Sequence, residues 1–224
     1  MYPTLIFDFD STLIPYEGLD ELARIVFETV SDKGELISRF QEITNFGMEG
    51  KYTFERSLSE RLNLLSCSQS IIPPLANFLK QSVLKSTQDF FHTELASYES
   101  IYIVSGGFKE LILPTTQSLG ISDTHVFANT FKWDLAGNLK GCDFSNPLSK
   151  AEGKVTSIKN LKLEGEVWMI GDGFSDCQVK ESGYAHKFIA YTEFVKRNTV
   201  IERADVIANS MEDIKRLLCN HPTT

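Results

Sequence analysis

Leu5-Ile6-Phe7-Asp8-Phe9-Asp10-Ser11-Thr12 reads as an apolar strand that ends in two carboxylates two residues apart. Side chains alternate along a strand, so Asp8 and Asp10 point to one face where the strand runs out. Two like charges held that close repel, and folding neutralises one of them unless a cation or a proton transfer exploits the pair. Ser11 and Thr12 follow with hydroxyls and backbone N–H groups that suit an oxyanion.

Outward from this stretch, Ile101–Val104, Val167–Ile170 and Lys187–Ala190 are short continuous apolar runs, as buried parallel strands are. Helical patterns such as Asp89–Leu95 and Val155–Leu163 lie between them. The alternation implies an α/β fold, a Rossmann-like parallel sheet with right-handed crossovers and its site at the carboxyl ends of the strands. Residues 15–85 break that rhythm. Leu19, Leu22, Ala23, Val26, Phe27 and Val30 form one helical stripe, Leu36, Phe40 and Ile43 a second, and Phe54, Leu58, Leu62 and Leu65 a third. Pro73-Pro74 opens a fourth helix or ends the preceding turn. This stretch is expected to be a helical cap (15–85) inserted into a core formed by residues 1–14 and 86–224. Asn129–Leu139, centred on Ala136-Gly137-Asn138, is expected to be a small hairpin off the main sheet.

The hydrophobic fraction of 42%, with 16 Phe among 224 residues, is that of a globular enzyme with a substantial core. Net charge is −8, from 22 Lys+Arg against 30 Asp+Glu, which argues against a nucleic-acid backbone as partner. The cysteines Cys67, Cys142, Cys177 and Cys219 are scattered with no C-x-x-C, so reduced thiols are expected rather than zinc or a disulfide framework. Residues 1–7 carry no basic leader, and no apolar run approaches the roughly 18–20 residues that span a bilayer. A cytoplasmic protein without a membrane partner is expected.

Two later segments repeat the layout of the first. Ile101–Val104 runs into Ser105-Gly106-Gly107, and Val167–Ile170 into Gly171-Asp172-Gly173-Phe174-Ser175-Asp176, while Gly153-Lys154 opens a helix. In a parallel sheet these ends share one edge, which gathers Asp8, Asp10, Asp172, Asp176, Ser105 and Lys154. Four carboxylates with no His or Cys call for a hard divalent cation, Mg²⁺. A hydroxyl, a glycine N–H and a lysine hold a phosphoryl group, and a carboxylate that attacks phosphorus splits one hard hydrolysis into two easier steps. Arg61 lies on the apolar stripe of the third cap helix and needs an anionic partner, whereas Arg56 lies off it. Blander readings stand beside these: Lys150 competes with Lys154, Glu17 is an acid near a helix start, and Arg61 pairs with Glu21 or Glu60. His92, His125, His186 and His221 show no metal spacing and read as structural.

In these four motifs, in this order, the chain resembles the haloacid-dehalogenase superfamily of phosphatases. Within it the chain is most similar to the phosphoserine phosphatases, through Ser11 after the second Asp, Glu17-Gly18-Leu19-Asp20-Glu21-Leu22-Ala23, Gly47-Met48-Glu49-Gly50-Lys51, and Phe54-Glu55-x-Ser57-Leu58-x-x-Arg61. The resemblance implies Asp8 as nucleophile and Asp10 as general acid/base. It implies Mg²⁺ held by Asp8, Asp172, Asp176 and the Asp10 backbone carbonyl, and phosphate held by Ser11, Ser105, Gly106 and Lys154. Glu17, Met48, Phe54, Arg61 and Ser175 would meet the rest of the substrate, Glu17 its ammonium and Arg61 its carboxylate. The implied partner is a small phosphorylated metabolite, and the chain is expected to be a monomer or homodimer.

Two departures bear on the substrate. Ser175 stands where the family has Asn, and Tyr191–Arg197 is longer and more basic than the corresponding Ala-Lys-Pro-like segment. The rival readings are another small phosphomonoester, such as an enol-phosphate or a phosphorylated amine, and a phosphate-responsive module without turnover.

Overall fold

The computed structural model describes residues 2–221 apart from 29, 49, 50, 97 and 99, and the backbone alone of Met48. The chain runs β1 (Thr4–Phe7), α1 (Gly18–Glu28), α2 (Lys33–Met48), α3 (Phe54–Leu64), α4 (Ile72–Gln81) and α5 (Lys85–Asp89). It continues through β2 (Ile101–Phe108), α6 (Lys109–Ser118), β3 (Val126–Asn129), β4 (Phe131–Trp133), β5 (Leu139–Cys142) and α7 (Gly153–Leu161). The last elements are β6 (Val167–Gly171), α8 (Phe174–Glu181), β7 (Lys187–Tyr191), α9 (Asn198–Ile201), β8 (Val206–Ala208) and α10 (Met211–Cys219).

Six strands pair in the order β3-β2-β1-β6-β7-β8, every pair parallel, with β1 between β2 and β6. Alternation along the strands sorts the core. Leu5, Phe7, Ile103, Trp168, Ile170, Ile189 and Tyr191 pack on one face with residues of α1–α4, α6 and α10. Ile6, Val104, Val167, Met169, Phe188 and Ala190 pack on the other with residues of α7–α9. Leu22, Val26, Phe27, Phe40, Leu58 and Leu62 belong to the first cluster, so the inserted helices share a continuous core with the sheet. Thr53 caps α3 by accepting the Arg56 N–H, and prolines stand in the first turn of α4, where a missing N–H removes no helical bond.

Several boundaries differ from the sequence expectation. The apolar run 5–9 pairs as strand only to Phe7, and Val30, expected on the buried stripe of α1, is exposed. Ser105-Gly106-Gly107 is not a loop after β2 but its continuation, through a register shift between Val104 and Phe108. The expected helix over Asp89–Leu95 is instead the end of α5 followed by a wide π turn, Phe90–Glu94. The hairpin pairs Phe131–Trp133 with Leu139–Cys142, several residues beyond its expected end, about a turn that Asp134 closes by accepting the N–H groups of Ala136 and Asn138. The short strands β3 and β8 carry too little periodicity to have been read from sequence.

Candidate active site

The carboxyl ends of β1, β2 and β6 and the first turn of α7 meet at one edge of the sheet. Asp8 follows β1 directly, its N–H donating to Ile170 O at 2.9 Å as an extension of the ladder. Lys154, in the first turn of α7, reaches Asp8 at 2.7 Å and Asp176 at 2.6 Å. Lys154 therefore stands at the centre of the carboxylates, while Lys150 lines the cavity from its exposed side. Burial alone would lower the Lys154 pKa, but Asp176 and Asp8 outweigh it and keep the ammonium charged.

Asp176 is fully buried and receives the Gly173 N–H at 3.0 Å on the oxygen that Lys154 does not use. Its carboxyl packs so closely on Gly171 that a Cβ there would lie 2.3 Å from Oδ2, so only glycine ends β6 this way. Burial pushes the Asp176 pKa up to about 7, and Lys154 opposes that rise.

Asp172 receives the Thr12 hydroxyl at 3.4 Å on Oδ1, whereas its buried Oδ2 is in contact with the Arg197 guanidinium. Asp8, Asp172 and Asp176 can each bring one oxygen within 4.8 Å of the others. An all-oxygen cluster of that size, two of its carboxylates already drawn onto cationic side chains, fits a divalent cation. The Asp10 carboxylate stands apart from that cluster and accepts the Gly18 N–H at 3.0 Å. Burial first, then Glu17 and Asp8, hold its pKa well above the usual carboxylate range.

A cavity of about 500 Å³ opens over these groups, lined by Asp8, Asp10, Ser105, Gly106 and Lys154 below and by Glu17, Phe54 and Arg61 above. A second, of about 340 Å³, continues from Asp8, Glu17 and Arg61 toward Asp172, Ser175 and Arg197. Arg61 Nε is buried without a hydrogen-bond partner. Burial lowers the Arg61 pKa, and the nearby charges of Asp20 and Glu17 oppose that effect. Its acidic neighbours are thus Asp20 and Glu17, not Glu21 or Glu60, and Glu60 instead pairs with Arg56 at 2.8 Å. Burial likewise raises the Glu17 carboxyl.

Ser11 departs from the expectation of free oxyanion donors. Its hydroxyl donates to Glu17 Oε1 at 2.7 Å and its N–H to Tyr16 O, while the Thr12 N–H bonds Phe9 O. Neither cavity is lined by Ser11, which supports Glu17 from behind. The side chain of Met48 lies outside the described residues. The four histidines lie outside the residues that line these two cavities and have hydrogen-bond partners of their own: His92 with Ser118 O, His125 with Ile101 O, His186 with the Val167 N–H and His221 with Glu166.

Sequence reasoning missed two residues. Arg197, beyond the end of β7, contacts the Asp172 carboxylate, donates to Asp172 O at 3.3 Å and stands 3.7 Å from Glu17. The basic run Lys196-Arg197 past a sheet strand was the available signal. The other is Asn129, the last residue of β3, which lies wholly buried behind Gly106 and had no signal in any motif.

A family model for haloacid dehalogenase-like hydrolases matches residues 5–180. A phosphoserine phosphatase of Drosophila melanogaster is 31% identical over 212 residues, which span 93% of this chain and 75% of the fly protein. One of Homo sapiens is 31% identical over 203 residues, 88% of this chain and 85% of its own. Among solved structures, a phosphoserine phosphohydrolase-like protein from Francisella tularensis superposes with a TM-score of 0.83 and 32% identity, covering 96% of this chain and 99% of that one.

Proposed function

Because the chain belongs to the haloacid dehalogenase-like hydrolases and is a phosphomonoesterase of the phosphoserine phosphatase kind, we propose that it converts O-phosphoserine to serine and phosphate through a phosphoryl group held transiently on Asp8. Asp8 attacks phosphorus and the P–O bond to serine breaks, while Asp10 gives its proton to the departing oxygen. A buried Asp10 with a raised pKa is protonated where an ordinary carboxyl would not be. Asp10 then takes a proton from the water that attacks the phosphoryl group, which leaves as phosphate and regenerates both carboxyls. Ser105, Gly106 and Lys154 hold the phosphoryl oxygens throughout. Asp8, Asp172 and Asp176 would hold Mg²⁺, which supplies positive charge to the phosphoryl oxygens when bound. Helices α1–α4 serve as the cap, with Glu17 taking the substrate ammonium, Arg61 its carboxylate, and Met48, Phe54 and Ser175 the remaining walls.

One observation carries this reading. The nucleophile Asp8, the acid Asp10 and the oppositely charged Glu17 and Arg61 line the same cavity. A second reading, a small phosphomonoester without an ammonium, draws on Arg197, which already offers Glu17 a positive charge at 3.7 Å. Side-by-side kcat/KM values for phosphoserine, phosphothreonine and common sugar and nucleotide phosphates decide between them. Phosphoserine is expected to lead. Turnover of p-nitrophenyl phosphate with none of phosphoserine would reject the first reading and favour the second.

A further inference from the structure

We infer that Asn129, which no motif includes, is a positioning residue that holds the two halves of the phosphate subsite at a fixed separation and orients the Ser105 hydroxyl. The inference rests on the reading of Ser105, Gly106 and Lys154 as the phosphate-binding groups. Asn129 is completely buried at the end of β3. Its side-chain amide donates to Gly106 O at 2.9 Å and to Leu148 O at 3.1 Å, which uses both N–H donors of the group.

Those two carbonyls belong to the two segments that supply the phosphate donors. Gly106 lies in the bulged part of β2, beside Ser105. Leu148 lies in the turn on which α7 starts: a Cβ on Gly153 would lie 2.4 Å from Pro147 O and 2.8 Å from Leu148 Cα. The helix opening that carries Lys154 is therefore seated directly on the turn that Asn129 grips. One amide spans the gap between the serine-glycine strand end and the lysine.

The bond to Gly106 O has a second consequence. A trans peptide directs its C=O and N–H to opposite sides. The Gly106–Gly107 peptide has its C=O held by Asn129 and its N–H donating to Ser105 Oγ at 3.1 Å. Flanking glycines impose little preference on the orientation of that plane, so the amide of Asn129 supplies one. With Ser105 Oγ accepting from Gly107, the hydroxyl proton remains to be donated toward the cavity.

Packing alone does not account for this amide. Asn129 Oδ1 is buried with no hydrogen-bond partner, which costs stability, while both of its N–H donors are spent on carbonyls of the two phosphate segments. Asn146 serves as an internal comparison. It grips the same turn, accepting the Leu148 N–H at 3.0 Å and donating to Ala128 O at 2.8 Å, yet has no bond to Gly106.

The test compares Asn129→Leu with Asn146→Ala and Ser105→Ala, reading the inhibition constant of inorganic phosphate, KM for p-nitrophenyl phosphate, Mn²⁺ affinity and Tm. None of these readouts depends on phosphoserine being the substrate. Asn129→Leu is expected to raise the phosphate inhibition constant and KM about tenfold, with Mn²⁺ affinity within about twofold of the parent, and to lower Tm because Gly106 O and Leu148 O lose their donor. Asn146→Ala is expected to lower Tm while leaving the phosphate constant within about threefold. If Asn129→Leu does not fold, Asn129→Ser, too short to bridge both carbonyls, is expected to show the same rise. An unchanged phosphate constant in the Asn129 variant, or an equal rise in Asn146→Ala, overturns the inference while Ser105→Ala still weakens phosphate. Should Ser105→Ala leave phosphate binding unaltered, the phosphate-site assignment itself fails, and the role of Asn129 with it.

Discussion

Replacement of Arg61 by alanine separates substrate recognition from phosphoryl chemistry. The Arg61 Nε is buried without a partner, and the guanidinium stands 5.8 Å over the Phe40 ring. Burial outweighs Asp20 and Glu17 in setting its pKa, so the group is substantially desolvated while still charged. Were it a surface ion pair with the substrate carboxylate, its loss would matter by only about 0.2–1 kcal/mol. Burial puts it in the class where truncating one partner of a charge pair costs about 2–5 kcal/mol. That corresponds to a fall of about 30-fold to several-thousand-fold in kcat/KM for phosphoserine. Hydrolysis of p-nitrophenyl phosphate, which has neither ammonium nor carboxylate, is expected to stay within a few-fold of the parent. Arg61→Lys keeps the charge but loses the planar fork, and is expected to fall between. Phosphate release from both substrates, with Tm alongside, is the assay. Equal losses on the two substrates would place Arg61 in the fold or the phosphoryl site, and no loss on either would remove phosphoserine as the substrate.

Asp8→Asn is expected to leave the circular dichroism spectrum unchanged and to abolish turnover, because an amide is a far poorer nucleophile and the cation cluster loses a ligand; activity above a few per cent would exclude attack by Asp8. In the metal-free protein Asp10 and Asp176 both have folded-state pKa values raised by burial, Asp176 to about 7. The folded state then binds more protons than the unfolded chain between the ordinary carboxylate range and about 7, so these groups stabilise at low pH and that contribution is lost as pH rises. Melting of protein treated with chelator between about pH 5 and 7 is expected to show this slope, and Asp10→Asn to flatten part of it; an unaltered slope would mean Asp10 is not perturbed. Arg197, one-third exposed, lies on the Asp172 carboxylate that a cation would use. Arg197→Met is expected to tighten Mn²⁺ binding by up to about fivefold by calorimetry, and weaker binding would show that Arg197 supports the site instead.

The parts of the site that are local in sequence were readable from it. Asp8-x-Asp10, Ser105-Gly106 and Asp172 stand where apolar runs end, and parallel strands bring such ends to one edge whatever the loops between them do. Lys154 was legible as a helix opening, and it lies between Asp8 and Asp176 whereas Lys150 is exposed. Arg61 was legible as a charge on an apolar stripe, but its neighbours were not, because Asp20 is brought to it by the packing of α1 near α3 and not by spacing. The bond of the Ser11 hydroxyl was illegible for the same reason: which acceptor a hydroxyl finds depends on where Glu17 folds back, six residues on. Asn129 and Arg197 lie on segments whose only link to the site is the order of strands in the sheet. A buried amide that grips two carbonyls carries no periodicity, so no pattern along the chain announces it. The strands β3 and β8 escaped for a related reason, since four and three residues cannot display a period.

The central claim is that phosphoserine passes its phosphoryl group to Asp8. Rapid acid quench after mixing the Mg²⁺-loaded protein with radiolabelled O-phosphoserine, followed by peptide mapping, measures that transfer directly. Label on the peptide that contains Asp8, lost on treatment with hydroxylamine as an acyl phosphate is and absent from Asp8→Asn, is the expected result. Release of labelled phosphate during the first turnover with no label on that peptide would contradict it.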